Sequence, residues 1–244
     1  MALPASKDQI IEALSIGTLE LQGQFVAGSN STFLGNIAHQ NAQYAVVYKP
    51  VRGENPLWDF PTGTLARREV AAYLVSEALK WDLVPPSVFR RKKLPFGAGS
   101  LQFFVDHDPD YHYFNFSPQD RERLRVVTVF DLLVNNADRK GGHILVDKDG
   151  HLWLIDHGVC FHVEDKLRTV VWDFAGQPLP ENLREDLASL LMTLLEDNPL
   201  TAALGELLSR GEIAALARRA HRLLNLTEFP SPDQKRRSYP WPPF

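Results

Sequence analysis

A single cysteine, Cys160, stands in 244 residues, so no internal disulfide can staple the chain and its stability must come from a packed core. Long apolar runs are missing too. None approaches the roughly 20 residues that a membrane-crossing helix needs, which limits any expected membrane contact to the periphery. Positive charge is not in excess: the formal net charge of -4 argues against nucleic-acid binding driven by overall charge. The opening MALPASKDQ lacks the basic-then-apolar pattern of a secretory signal, and with the lone cysteine this leads to an expectation of a reducing, cytoplasmic setting. No internal repeat is visible. What remains is an average composition, 44% hydrophobic and 23% charged, with length for one large domain or two lobes.

The chain is organised around the stretch from Asp138 to Gly158, DRKGGHILVDKDGHLWLIDHG. It reads as a polar loop, a short strand (Ile144 to Val146), a turn through Asp147, Lys148, Asp149 and Gly150, and a second strand (Leu152 to Ile155). An Asp-Gly pair between apolar runs is a strong hairpin signal, because glycine supplies the positive φ that the turn requires. Antiparallel strands return the chain to its starting point, so Asp138 and His143 are expected beside Asp156. Two carboxylates and an imidazole at one open end favour a cation, Mg²⁺ or Mn²⁺, with one acid acting as general base. Either acid alone is explained equally well as a turn residue.

Earlier in the chain, Ser6 and Gln9 form a capping-box pair that predicts a helix from Lys7 to Leu14. Thr18 to Val26 alternates as a strand, and the following AGSNSTFLGNI predicts a hairpin tipped with small residues. Its Gly28, Ser29, Asn30, Ser31 and Thr32 are candidates to cradle phosphate oxygens. In YAVVYK, alternation puts Ala45, Val47 and Lys49 on one strand face. A lysine there needs an anionic partner. Glu69, early in a predicted helix from Leu65 to Trp81, is the natural one, and Glu77 is a rival. Strands are expected at Ser87 to Arg90 and Ser100 to Val105, with the basic run at Arg90 to Lys93 read as a solvated edge. After Val105 the acid- and histidine-rich DHDPDYHYFNF marks a boundary, and its residues are read as solvated rather than metal-binding. One helix is expected from Ser117 through Asn135, and three more at Glu181 to Glu196, Leu200 to Ser209 and Glu212 to Asn225. The last sixteen residues hold five prolines and read as a tail, docked if at all through Tyr239 and Trp241. The expected divisions are 1–105, 106–228 and the tail 229–244.

A β-rich lobe with a phosphate-sized hairpin, a strand lysine and a helix glutamate, followed by a helical lobe with a base and a metal-binding aspartate, is the set of parts for phosphoryl transfer. In that order, from about Gly17 to Asn225, the sequence resembles the phosphatidylinositol 3-/4-kinase-like atypical kinases, including small bacterial relatives. The resemblance rests on Asp138-Arg139-Lys140-Gly141-Gly142-His143 and Asp156-His157-Gly158. It implies an α+β, two-lobed protein-kinase-like fold that binds ATP with Mg²⁺ or Mn²⁺ and passes the γ-phosphoryl group to a hydroxyl of a protein or small molecule, a lipid being the less favoured acceptor. It further implies that residues 28–32 cover the phosphates, Lys49 contacts them and Glu69 orients Lys49. Phe103, Phe104 and Val105 would meet the adenine through backbone groups, Val47 and Ile155 would pack on its faces, Asp156 would hold the metal and Asp138 would take the hydroxyl proton. His143 stands where the family usually has asparagine, which suits Mn²⁺ or weakens catalysis; His157 replaces phenylalanine, a change expected to affect packing more than chemistry. No nucleic acid is expected as a partner, and a monomer is. A nucleotide-binding module without turnover, an AMP transferase and a metal-dependent hydrolase remain open beside the kinase reading.

Overall fold

Ser6 accepts the Gln9 N–H on its hydroxyl (3.3 Å) while its own N–H goes to the Gln9 side chain (2.9 Å). This reciprocal cap satisfies backbone groups that a helix end leaves open, and α1 (Lys7–Ile16) follows. The computed structural model describes residues 6–26 and 30–244. Gly17 ends α1 and must be glycine for space: a Cβ there would lie 2.6 Å from both Ala13 O and Ile37 Cγ2. The helix therefore lies directly on the sheet.

That sheet contains β1 (Thr18–Gln24), β2 (Phe33–His39), β3 (Ala42–Pro50), β4 (Ser87–Arg90) and β5 (Gly99–Phe103), all antiparallel, in the order β1-β2-β3-β5-β4. Strand alternation sorts its faces. Ile37, Val46, Tyr48 and Leu101 are fully buried against Ala13 and Leu14 of α1, which turns Val47 and Lys49 the other way. The register sets Val47 opposite Gln102 and Lys49 opposite Ser100. Arg90 departs from the solvated edge expected of it. It is buried, and its guanidinium donates to Leu14 O (3.4 Å) and Gly17 O (2.9 Å) at the end of α1.

Helix α2 (Leu65–Ala78) stops three residues before the expected Trp81. Lys80 takes a left-handed φ of 58°, the Trp81 N–H reaches Ser76 O (3.2 Å) and the Lys80 N–H reaches Glu77 O (2.9 Å). This is a Schellman end built without the usual glycine, which explains why the sequence did not announce it. The helix expected from Ser117 to Asn135 is two, α3 (Pro118–Glu122) and α4 (Arg125–Val134). The break lets Leu124 bury completely while Arg123 turns back to Asp120 (2.8 Å).

The hairpin forms as β6 (Ile144–Val146) and β7 (Leu152–Leu154), with Ile144 opposite Leu154. The Asp147 carboxylate shapes its turn by accepting N–H groups of Asp149 (2.9 Å), His151 (2.8 Å) and the Trp153 indole (2.8 Å), and Gly150 supplies φ 79°. Helices α5 (Glu181–Leu194), α6 (Pro199–Gly205) and α7 (Arg210–Leu224) complete the helical part. Ser209, expected to end the helix that begins at Leu200, instead caps α7 through a reciprocal pair with Glu212. The whole is α+β, a sheet-rich lobe and a mainly helical one. Residues 229–244 run along the helical part: Phe229 is buried in its core, Tyr239 stands edge-on to Trp172, and Trp241 faces solvent.

Candidate active site

Between the sheet face bearing Val47 and the end of the β6–β7 hairpin lies a cavity of about 550 Å³. Asn30, Ser31 and Thr32 reach it from the β1–β2 hairpin, where the Ser31 N–H binds Gly53 O (2.9 Å) and Asn30 Oδ1 takes the Asn55 N–H (2.8 Å). Gly28 and Ser29, expected beside them, lie outside the described residues. Val47 and Ile155 line the same cavity, as do Phe103, Phe104 and Val105. Two of the backbone donors expected to meet a base are already used, because the Phe103 N–H binds Pro86 O and the Phe104 N–H binds Ala45 O (both 2.9 Å). Among the described residues the Val105 N–H has no partner.

The charged residues converge on Lys49. Its ammonium forms a short ion pair with Glu69 and a second bond to Asp156 Oδ1 (3.0 Å). Burial alone would lower its pKa, but Asp156 and Glu69 outweigh that and hold it above the ordinary lysine value. The other Glu69 oxygen accepts the His157 N–H (2.8 Å), so α2, β3 and the segment after β7 meet in one network. The rival Glu77 pairs with Lys7 instead (2.7 Å). Asp156 has a left-handed φ of 62°, a conformation seldom seen in a non-glycine residue and often found at functional sites. Its carboxylate, half-exposed, is kept well below the usual range by Lys49. His143 Nε2 lies 3.3 Å from Asp156 Oδ2, and burial pushes the imidazole down to about 4, so the ring is neutral at pH 7. Asp138 lines the same cavity, with burial pushing its carboxyl up against the pull of Lys140, 3.7 Å away.

A family model described as phosphatidylinositol 3- and 4-kinase matches residues 61–210, more than half the chain. The chain belongs to that family. Protein Rv2133c of Mycobacterium tuberculosis is 41% identical over 273 residues, covering 98% of this chain and 96% of that protein. Phosphatidylinositol 4-kinase gamma 4 of Arabidopsis thaliana is 31% identical over 155 residues, covering 52% of this chain but only 27% of that much longer protein. The Golgi casein kinase with Mn/ADP bound, at 15% identity, superposes with a TM-score of 0.52 over 89% of this chain and 74% of that one. The two-lobed architecture is thus that of the protein kinases.

Within this kinase-like site the residue that sequence reasoning undervalued is Arg139. It is wholly buried, and its guanidinium donates to both Asp131 oxygens (3.0 and 3.2 Å), to His143 O (3.2 Å), to Ile155 O (2.8 Å) and to His157 Nε2 (2.8 Å). One side chain thereby ties α4 to both ends of the hairpin; the hairpin alone does not gather the acids. His157 does more than pack. Its buried, neutral ring stands edge-on to Phe130 and also accepts from Arg139, with its Nδ1 left unpartnered. Leu145, Gln102 and Arg168 also line the cavity without any local signal that marked them.

Among the described residues no three His, Cys, Asp or Glu side chains gather as a ready-made metal cage, including those of segment 106–112. An ion here would find two protein donors, the Asp156 carboxylate and neutral His143 Nε2. Octahedral ligands at right angles about 2.1 Å from Mg²⁺ stand about 3 Å apart, and Mg²⁺ commonly takes one or two protein ligands, completing its shell with phosphate oxygens and water. The 3.3 Å pair fits that requirement.

Proposed function

We propose that this chain is an ATP- and divalent-metal-dependent phosphotransferase that moves the γ-phosphoryl group to a hydroxyl acceptor. The observation that carries it is Lys49 bound at once to Glu69 and Asp156 in a cavity that also holds Asp138. Lys49 would contact phosphate oxygens, with Glu69 fixing its direction, and Asn30 to Thr32 would close over them together with Gly28 and Ser29. Val47 and Ile155 would sandwich the base, and the Val105 N–H is the backbone donor free to meet it. Asp156 and His143 would hold Mg²⁺ or Mn²⁺, which supplies neutralisation of phosphate charge. Asp138 would receive the proton of the attacking hydroxyl as its oxygen bonds to the γ-phosphorus and the bond to the bridging oxygen breaks, leaving ADP. Burial that raises the Asp138 pKa strengthens it as a base.

His143 supports a second reading, nucleotide binding without turnover, since imidazole is a poorer Mg²⁺ ligand than a side-chain oxygen. ATP labelled separately at the α and γ positions, incubated with Mg²⁺ or Mn²⁺ and candidate acceptors, separates these outcomes. Label passing only from the γ position is expected. Transfer from the α position would make the protein an AMP transferase, and stabilisation by ATP without transfer would favour the second reading. Absence of any ATP effect with either metal would end both and leave a metal-dependent hydrolase.

A further inference from the structure

The nucleotide cavity shares one residue with a second cavity of about 530 Å³, and that residue is Arg168. Its backbone brackets Asp138: the Arg168 N–H binds Asn136 O and its carbonyl accepts the Arg139 N–H, each at 2.9 Å. The half-buried Arg168 acts on the Asp138 carboxyl by its charge but closes no ion pair with it or any other carboxylate among the described residues. Next in sequence, the Thr169 N–H binds Ser238 O (3.1 Å), and the Trp172 indole N–H adds a bond to the same oxygen (3.3 Å). That tie holds the segment of residue 237 against the segment of residue 168, and both arginines line the second cavity. Arg237 spends only its Nε, on Tyr239 O (3.2 Å).

The remaining charges around this second cavity are matched. Arg222 pairs with Asp165 (3.1 Å), Arg236 with Asp233 (2.8 Å) and Lys166 with Asp59 (3.4 Å). Arg168 and Arg237 are left as two planar forks with open donors lining the same cavity. Guanidinium forks fit phosphate oxygens in pairs, and here one fork is half-buried and the other exposed at the cavity.

We infer that this second cavity binds the phosphate group of a small phosphomonoester that carries a free hydroxyl, with Arg168 and Arg237 as the clamp. A molecule held there presents its far end across Arg168 to Asp138. The inference rests on the phosphotransferase reading for its purpose, but the binding can be measured apart from it. Inorganic phosphate and glycerol 3-phosphate serve as probes in calorimetry on the full chain. Lys49→Met provides a background in which the nucleotide site has lost its phosphate-contacting lysine, and Arg237, which lines only the second cavity, tells the two sites apart.

Phosphate binding that survives Lys49→Met and falls about tenfold or more in Arg237→Gln and in Arg168→Gln is expected, because each change removes a charge-assisted hydrogen-bond pair. Arg237 does not line the nucleotide cavity, so Arg237→Gln should keep the thermal stabilisation given by ATP with Mn²⁺. Binding lost in Lys49→Met, binding indifferent to both arginines, or no binding of either probe at millimolar concentration overturns the clamp. If phosphate binding follows the arginines while no γ-transfer is found to any acceptor, the clamp stands and the phosphotransferase reading fails; γ-transfer that persists unchanged in Arg237→Gln to a phosphomonoester acceptor has the opposite meaning.

Discussion

Individual side chains divide here into those that hold the site and those that would use it. Asp138 is partly exposed, and among the described residues its carboxylate has no ion-pair partner but Lys140. Asp138→Asn should therefore keep the ATP–metal thermal shift while γ-transfer drops by about 10²- to 10⁴-fold, the usual worth of a general base. Asp156→Ala should abolish the shift as well; an unchanged shift there would remove Asp156 from metal binding. Arg139 is the opposite kind of residue. Arg139→Met strands the buried Asp131 carboxylate, and losing one partner of such a pair costs about 3–5 kcal/mol. Urea denaturation would read this directly, and a loss below about 1 kcal/mol would show that Asp131 finds another partner.

At the level of helices and strands, local pattern carried most of the information. Alternation in YAVVYK correctly separated Val47 and Lys49 from Val46 and Tyr48, and the Asp-Gly turn marked the hairpin. What escaped was set by contacts distant in sequence. The end of α2 depends on Ser76, whose hydroxyl accepts the N–H groups of Leu83 (2.8 Å) and Val84 (3.3 Å), and the cavity-lining position of Arg168 depends on pairing with Asn136 and Arg139. Nothing within either segment encodes such partners. Helix α3 offers a test by pH. The Tyr111 hydroxyl, Ser117 and Arg123 all bond Asp120, and they lower its pKa with Tyr111 first. A folded pKa below the unfolded value of about 3.9 means that the stabilisation is present above that pH and is lost as pH falls through the folded value. Asp120→Asn should then be less stable than the parent at pH 7, with the gap closing below about pH 4. A gap constant down to pH 2 would contradict the assignment.

Across the whole molecule, the two lobes are joined by buried polar contacts as well as by apolar packing. Arg68 of α2 is almost wholly buried, forms a short ion pair with Glu212 of α7 and donates to Cys160 O (2.6 Å). Cys160 itself is fully buried, and burial pushes its thiol well above the ordinary value. A thiol reagent should therefore modify the native protein only as fast as the interior opens, and ATP with Mn²⁺ should slow the reaction further. Rapid stoichiometric labelling without denaturant would mean that the lobes part readily.

The five bonds made by Arg139 have a consequence for how such a protein can change over descent. Because that guanidinium fastens the scaffold and the loop bearing Asp138 with the same atoms, losing it would cost stability that losing Asp138 would not. A lineage that abandoned turnover yet went on holding nucleotide would be expected to mutate Asp138 freely and keep Arg139. The arginine next door would then persist as a relic of chemistry no longer performed.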